Sequence, residues 1–86
     1  MITLVFLGKL ADLAGRAEYD FAPAAGEIDW SDLLAVLEGQ LNPVIAEAAN
    51  ADKTKLALNG AILPDKSALS ARDDDEIALL PPVSGG

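Results

Sequence analysis

The opening segment, residues 2–7, constrains the fold of this 86-residue chain more than any other part of it. Its residues are nearly all apolar and rich in β-branched and aromatic types, which is typical of a strand covered for much of its surface on both sides. We therefore predict a central strand here. Alternation divides its side chains into two sets, Ile2, Leu4 and Phe6 on one face and Thr3, Val5 and Leu7 on the other.

Two short segments follow the opening strand. Residues 9–14 have the spacing of a short helix in which Leu10 and Leu13 meet the core, and Gly15 can close that helix in a left-handed conformation. Residues 18–21 alternate between polar and aromatic side chains, as a half-buried strand does. We expect this second strand to pair with the first.

The strongest helical pattern follows a predicted loop at residues 22–27, and Asp29 can cap it. Asn42 followed by Pro43 has the pattern of a new helix start, so the helical region is predicted to bend there. Two sets of apolar residues recur at helical spacing: a core stripe of Trp30, Leu33, Leu34, Leu37 and Leu41 before the bend, and a small apolar face of Val44, Ile45 and Ala48 after it.

The last third of the chain is predicted to be mainly extended. Asn59 followed by Gly60 is the residue pair that best tolerates the backbone angles of a tight hairpin, here between residues 55–58 and 61–63. Residues 64–72 form a connection with one helical turn near residues 67–69. Three aspartates at 73–75 then precede a final strand.

The order of these elements predicts the fold class. Strand, short helix, strand, long helix, two short strands and a final strand belong to the mixed α+β class. We predict a ubiquitin-like β-grasp fold, a mixed sheet with one long helix packed across it and the two terminal strands paired at its centre. The domain is expected to span residues 1–80, with residues 81–86 as an extended tail ending in Gly-Gly.

The absence of two residue types restricts the chemistry. The chain contains neither cysteine nor histidine. It therefore lacks disulfides, thiolate metal sites, a cysteine nucleophile and the usual general base at neutral pH. We do not expect the chain to be an enzyme on its own, nor to bind a cofactor or metal.

Charge and hydropathy restrict the partners. Fourteen acidic residues against six basic ones give a formal net charge of −8, which disfavours nucleic acid and anionic membranes. A basic protein partner fits better, although the charge also serves solubility. The apolar amino terminus is too short to cross a bilayer and lacks the basic flank of a signal peptide, so we expect a cytoplasmic location.

Two motifs resemble ligand sites, and both are interpreted as structural. The aspartates at residues 73–75 could attract a hard cation, but three neighbours in one turn do not form a surrounding cage, and we expect a solvated turn. Asp75 could also orient the final strand. Gly60 and the Gly85-Gly86 pair do not form a phosphate loop, because neither precedes a helix with a lysine at the required spacing.

The closing residues predict a slender tail. Pro81 and Pro82 fix successive backbone torsions and direct the chain outward, and Gly85 and Gly86 carry no side-chain bulk. Six extended residues reach on the order of 20 Å, which is enough to enter another protein's active site. The alternative for a glycine pair alone is a frayed end without a role.

These residues resemble a known family. Residues 75–86, and above all the run Pro81-Pro82-Val83-Ser84-Gly85-Gly86, closely resemble the end of the molybdopterin synthase small subunit. The opening strand, residues 10–15, the turn at residues 58–60 and the overall length agree as well. Two departures are the leucines at 79 and 80, where family members often carry aromatic residues, and Gly60, where a glutamine is common.

The resemblance implies a mechanism and partners. In that family an ATP-using activating enzyme adenylates the terminal glycine carboxylate, which becomes a thiocarboxylate and donates sulfur to a pterin precursor in molybdenum cofactor biosynthesis. Gly86 is the matching residue here, and Val83 and Ser84 complete its tail. The family's large subunit receives the tail and supplies the substrate pocket. Alternation and resemblance place the partner interface at Leu7, Ile62 and Leu80.

Three alternatives stay open at this point. A thiamine-pathway sulfur carrier shares the fold and the glycine pair, although the Pro81-Pro82-Val83 approach and the long helical region favour the molybdopterin branch. A ubiquitin-like protein modifier would be joined to lysines through Gly86. A plain interaction domain would have a tail without a role.

Overall fold

The first and last strands of the chain lie side by side at the centre of a five-stranded sheet. The computed structural model describes residues 1–82. Its strands are β1 (Ile2–Phe6), β2 (Glu18–Phe21), β3 (Glu27–Asp29), β4 (Lys55–Leu58), β5 (Ala61–Ile62), β6 (Ser70–Arg72) and β7 (Glu76–Leu80). Its helices are α1 (Lys9–Ala14), α2 (Trp30–Val36) and α3 (Pro43–Asn50), with a π-helical turn at Leu37–Leu41 and a 3-10 turn at Lys66–Ala68.

The sheet has the strand order β2-β1-β7-β4-β5. The central pair, β1 and β7, is parallel, and the other three pairs are antiparallel. The helical region packs across one face, where Leu33 and Leu37 join the same buried cluster as Leu4 and Ile77. The predicted β-grasp architecture is therefore confirmed.

A second, two-stranded sheet was not predicted from the sequence. Strands β3 and β6 pair antiparallel, with Ile28 opposite Ala71. Both of those residues are buried and belong to the core cluster. The sequence predicts a loop that ends at residue 27, a helix cap at Asp29 and a connection over residues 64–72, because a three-residue strand with one buried side chain is too short to show alternation.

The long helical region begins and bends where its capping residues predict. Asp29 accepts a hydrogen bond from the Asp32 amide at 2.9 Å, and the Asp32 carboxylate accepts one from the Asp29 amide at 3.0 Å. This reciprocal pair is a capping box. After the π-helical turn, the Asn42 side chain accepts from the Ile45 amide at 2.9 Å and starts α3. Asn42 also donates to the Leu13 carbonyl, which ties α3 to α1.

Two apolar residues do not lie where the sequence analysis placed them. Leu13 is 38% exposed and Val44 is 56% exposed. Helix α1 has six residues and can direct only one edge inward, so the core positions go to Leu10 and Ala14. Helix α3 likewise buries Ile45 together with two small residues, Ala46 and Ala49.

The Asn59-Gly60 turn joins β4 to β5, as predicted. Both residues have positive φ, 50° at Asn59 and 86° at Gly60. The Asn59 side chain also accepts from the Glu76 amide at 2.8 Å and donates to an Asp75 carboxylate oxygen at 3.0 Å. The other Asp75 oxygen accepts from the Arg72 amide at 2.9 Å. Asp75 therefore positions the start of β7.

We predict that Asp75→Asn makes the stability of the fold less dependent on pH in the acid range. The hydrogen bond from Asn59, followed by that from the Arg72 amide, holds the pKa of Asp75 below its ordinary value. A lowered folded-state pKa contributes stability that is present above the unfolded pKa and lost as the pH falls through the folded one. Melting temperatures measured between about pH 6 and pH 2 should therefore decline less for the variant. An unchanged slope would contradict this role, and Asp74→Asn is the control.

The other two aspartates of the turn are solvated. The Asp73 carboxylate accepts from the amino-terminal ammonium of Met1. Asp74 takes a positive φ of 75° and is exposed. Within residues 1–82, no group of three or more acidic side chains is arranged to hold a metal ion, and no helix is long and apolar enough to cross a membrane.

Candidate functional site

The face of the sheet turned away from the helices has an apolar middle. The strand register places Val5 beside Ala78, Ala78 beside Ala57, and Ala57 beside Ile62, in one row across four strands. Val5 and Ala78 are half-buried, whereas Ile62 at the sheet edge is 58% exposed. The two middle residues of the row are therefore small alanines, and the larger apolar side chains of Val5 and Ile62 lie at its two ends.

A second row of side chains lies two residues further toward the carboxyl end of β7. The Leu7 amide donates to the Leu79 carbonyl at 3.2 Å, which continues the β1–β7 pairing past Phe6. Leu7 is 41% exposed, and Leu80 is half-buried opposite Lys55 of β4. We call the two rows the docking face: Val5, Leu7, Ala57, Ile62, Ala78 and Leu80.

The structure brings two of the three predicted interface residues together and leaves the third apart. Leu7 and Leu80 follow one another across the central strand pair. Ile62 lies two strands from Leu80, on the order of 10 Å away at normal strand spacing, with Ala57 and Ala78 between them. The burial of β7 agrees with the alternation, since Ile77 and Leu79 are buried while Ala78 and Leu80 are not.

The tail starts directly beside the docking face. Pro81 and Pro82 are half-buried and line a surface groove with Lys53 and Lys55. On the other side Pro81 approaches Gly8, where an added Cβ would lie 3.2 Å from the proline Cγ. These residues lie together where the chain leaves the sheet, and we call them the tail base: Gly8, Lys53, Lys55, Pro81 and Pro82.

Sequence reasoning did not single out Gly8, Lys53 or Lys55. The role of Gly8 depends on a proline more than seventy positions away, and the only local signal is a glycine directly after the central strand. The two lysines sit before and inside a strand whose partner, β7, could be assigned only once the topology was known. Their placement at the tail base follows from that pairing.

The predicted tail residues Val83, Ser84, Gly85 and Gly86 lie outside the described residues. The Gly86 carboxylate therefore stays a prediction, as does the boundary between residues 1–80 and the tail.

Lys66 is half-buried beside Trp30. Burial lowers its pKa below the ordinary value. Its Nζ donates to the Ala49 carbonyl at 2.8 Å and the Ala51 carbonyl at 2.6 Å, and lies 5.4 Å from the centre of the Trp30 ring. These contacts satisfy carbonyls at the end of α3, so Lys66 has a structural role.

Fold and site together define a class of protein, the small ubiquitin-like β-grasp domains that present an apolar sheet face next to an outgoing carboxyl-terminal segment. A family comparison makes this specific. The model of the ThiS family matches residues 4–86, and the chain belongs to that family. It is a small ubiquitin-like sulfur carrier.

Several solved structures resemble the chain over nearly its whole length. SAMP1 from Haloferax volcanii is 25% identical, with a TM-score of 0.68 and coverage of 99% of this chain and 98% of that one. The small archaeal modifier protein 1 (SAMP1) of Methanosarcina acetivorans is 22% identical, with a TM-score of 0.73 and coverage of 99% and 95%.

A third similar structure is a complex of subunits 1 and 2 of the molybdopterin-converting factor from Helicobacter pylori. The matching chain is 24% identical, with a TM-score of 0.63 and coverage of 99% and 97%. At these identities the Methanosarcina and Helicobacter structures support the fold alone. A search of curated proteins found no significant match.

Proposed function

We propose that the chain is the sulfur carrier subunit of molybdopterin synthase and that the carboxylate of Gly86 carries the sulfur. The observation that carries this proposal is the continuity of the docking face with the tail base. Strand β7 ends with Leu80 on that face, and the next residue is Pro81, the first of the run that resembles the molybdopterin synthase small subunit. A partner that covers Leu80 is therefore placed where it can receive the tail.

The proposed chemistry explains why the chain needs an activating enzyme. A carboxylate is a poor electrophile, because its oxygen is a poor leaving group. A Gly86 carboxylate oxygen attacks the α-phosphorus of ATP, which forms an acyl adenylate and releases pyrophosphate. Sulfur at the sulfide level then attacks the carboxyl carbon, AMP leaves with the former carboxylate oxygen, and a thiocarboxylate remains. The thiocarboxylate sulfur attacks the pterin precursor, and water cleaves the resulting thioester, which leaves the sulfur on the precursor and restores the Gly86 carboxylate.

The carrier is not an enzyme by itself in this proposal. It has no cysteine or histidine to hold sulfur or to move a proton near neutral pH. The large subunit supplies the substrate pocket and the proton-transfer groups, and the activating enzyme supplies the ATP site. The large subunit proposed here would correspond to subunit 2 in the Helicobacter pylori complex of subunits 1 and 2 of the molybdopterin-converting factor.

Intact-mass measurement tests the carrier chemistry. The protein is incubated with ATP, a cognate activating enzyme and a sulfur donor, beside a variant that lacks Gly86. We expect the full chain to gain the mass of one sulfur in place of one oxygen, and the shortened chain to keep its mass. An unchanged mass of the full chain, with an enzyme proven active on another carrier, would overturn the proposal.

A second experiment identifies the sulfur acceptor. The charged protein is mixed either with the molybdopterin synthase large subunit and its pterin precursor or with a thiazole-forming enzyme and its substrates. We expect sulfur loss only in the first mixture. Loss only in the second would assign the chain to the thiamine pathway.

The likeness to SAMP1 of Haloferax volcanii makes protein modification the second candidate function, because SAMP1 stands for small archaeal modifier protein 1. In that function the activated Gly86 carboxyl forms an amide with a lysine of another protein. Immunoblots of a cell extract with an antibody to this chain separate the two functions. Conjugates that disappear when Gly86 is deleted would support the modifier.

A further inference from the structure

Charges of opposite sign lie at the two ends of the docking face. Lys53 and Lys55 lie at the tail base beside Pro81 and Pro82, in a groove that Asp52 also lines, so that this end carries a net charge of about +1. Asp20 and Glu76 flank Thr3 at the far end, and Glu18 lies beside Val5 at the β2 edge of the face. The two lysines and these three carboxylates, five charged side chains in all, are exposed. The face therefore has a basic end and an acidic end.

Among the described residues, these five charges form no ion pair or hydrogen bond that would explain their positions, although the Asp20 carboxylate acts at longer range on the Met1 ammonium. In the part of the chain that the structure describes, the ion pair joins the Met1 ammonium to Asp73, and none of the five takes part in it. Their side chains also form no hydrogen bond within residues 1–82. In a chain of net charge −8 with six basic residues, two lysines beside one aspartate leave the tail base net positive.

The separation of the two ends is large enough for them to act independently. Glu76 and Leu80 bound β7, and four residue steps along a strand span about 13 Å. The Debye length at physiological ionic strength is about 8 Å. A partner therefore meets the basic end and the acidic end as two separate charges rather than as one averaged negative surface.

We propose that the docking face is electrostatically polarised and that the large subunit presents carboxylates beside the entrance for the tail and basic side chains beside the β1–β2 end. This inference rests on the proposed function, because it describes the partner named there. Apolar contacts alone have little directional preference. Complementary charges at both ends set the rotation of the carrier on its partner, so that Pro81 faces the entrance.

The simplest alternative is a uniformly basic partner, which the net charge of the chain suggests. The two arrangements predict opposite effects of reversing a charge at the tail base. With a uniformly basic partner, Lys55→Glu removes a repulsion and strengthens association. With the polarised face, the same change places a carboxylate against carboxylates and weakens association.

Association kinetics with the large subunit of the same organism test the inference. We compare Lys55→Glu and Lys53→Glu/Lys55→Glu with the unchanged chain at low and physiological salt. Charges at an interface rim act mainly on the association rate, so we expect the double variant to associate roughly tenfold more slowly at low salt, with a smaller difference at higher salt. Circular dichroism verifies that the variants are folded.

Arg72→Glu is the matched control. It makes the same reversal of charge on strand β6, which belongs to the second sheet and not to the docking face. It should not slow association. In contrast, Glu18→Lys at the β2 edge of the face should slow it, because a lysine would then face the basic side chains of the partner.

The outcomes separate this inference from the proposed function. Faster or unchanged association of Lys55→Glu, with normal sulfur gain by the full chain, overturns the polarised face and leaves the carrier function standing. Failure of the unchanged chain to bind the large subunit overturns both. Slower association of Lys55→Glu and of Glu18→Lys, with Arg72→Glu unaffected, supports the inference.

Discussion

Leu79→Asp is expected to abolish folding, whereas Leu80→Asp, one residue later, leaves the domain folded. Leu79 is 0% exposed and belongs to the core cluster beneath the helices. Loss of its packing costs about 2–5 kcal/mol, and an uncompensated buried carboxylate costs several kcal/mol more. Since small domains have total stabilities of about 5–15 kcal/mol, the combined loss leaves little or no folded protein. Circular dichroism and urea titration measure this directly.

Leu80→Asp should act on docking instead of folding. Leu80 is half-buried on the docking face, where its replacement by a polar residue changes stability by about 1 kcal/mol or less. A carboxylate among the apolar side chains of an interface should weaken binding of the large subunit at least tenfold. Calorimetric titration measures that loss. Unfolding of Leu80→Asp would show that Leu80 belongs to the core and would contradict its assignment to the docking face.

Gly8→Ala is expected to destabilise the domain by about 2–3 kcal/mol. Gly8 has φ 55° and ψ −134°, a conformation that residues with a Cβ rarely adopt. Its new Cβ would also press on the Pro81 ring at 3.2 Å. Urea denaturation gives the change in the free energy of unfolding.

Gly15→Ala is the control that separates these two causes. Gly15 also has a positive φ, 80°, but no atom lies within 4 Å of an added Cβ there. Its replacement should cost about 1–2 kcal/mol through backbone strain alone. In a double-mutant cycle, Pro81→Ala should recover part of the Gly8→Ala loss and none of the Gly15→Ala loss. Equal losses in the free energy of unfolding at the two glycines, without that recovery, would show that the close approach of Gly8 to Pro81 has no effect on stability.

The parts of the fold that were predicted correctly depend on local chemistry. Asp29 and Asn42 cap helices through hydrogen bonds to amides three residues later, and such pairs are visible in sequence. The turn at Asn59 and Gly60 is equally local, because it needs only two residues that accept positive φ. Alternation along β1 and β7 then assigned the buried and open faces.

The parts that were missed depend on contacts between distant segments. Pairing of β3 with β6 is specified by one buried residue in each strand, which gives no periodic signal. The exposure of Leu13 and Val44 depends on how short helices tilt on the core, and this cannot be derived from their spacing. The approach of Gly8 to Pro81 and the charge segregation on the docking face both require the sheet order. Distant pairings of this kind set the arrangement of the candidate site.

The parallel pairing of β1 with β7 also affects when the docking face exists during synthesis. The ribosome makes β1 first and its central partner last, so most of the chain must be completed before that pair can form. Val5 and Leu7 come from the first strand, and Ala78 and Leu80 come from the last. An incomplete chain therefore has no docking face to offer. A partner that binds this surface therefore selects chains in which β7 has been made and paired with β1, without a separate checking step.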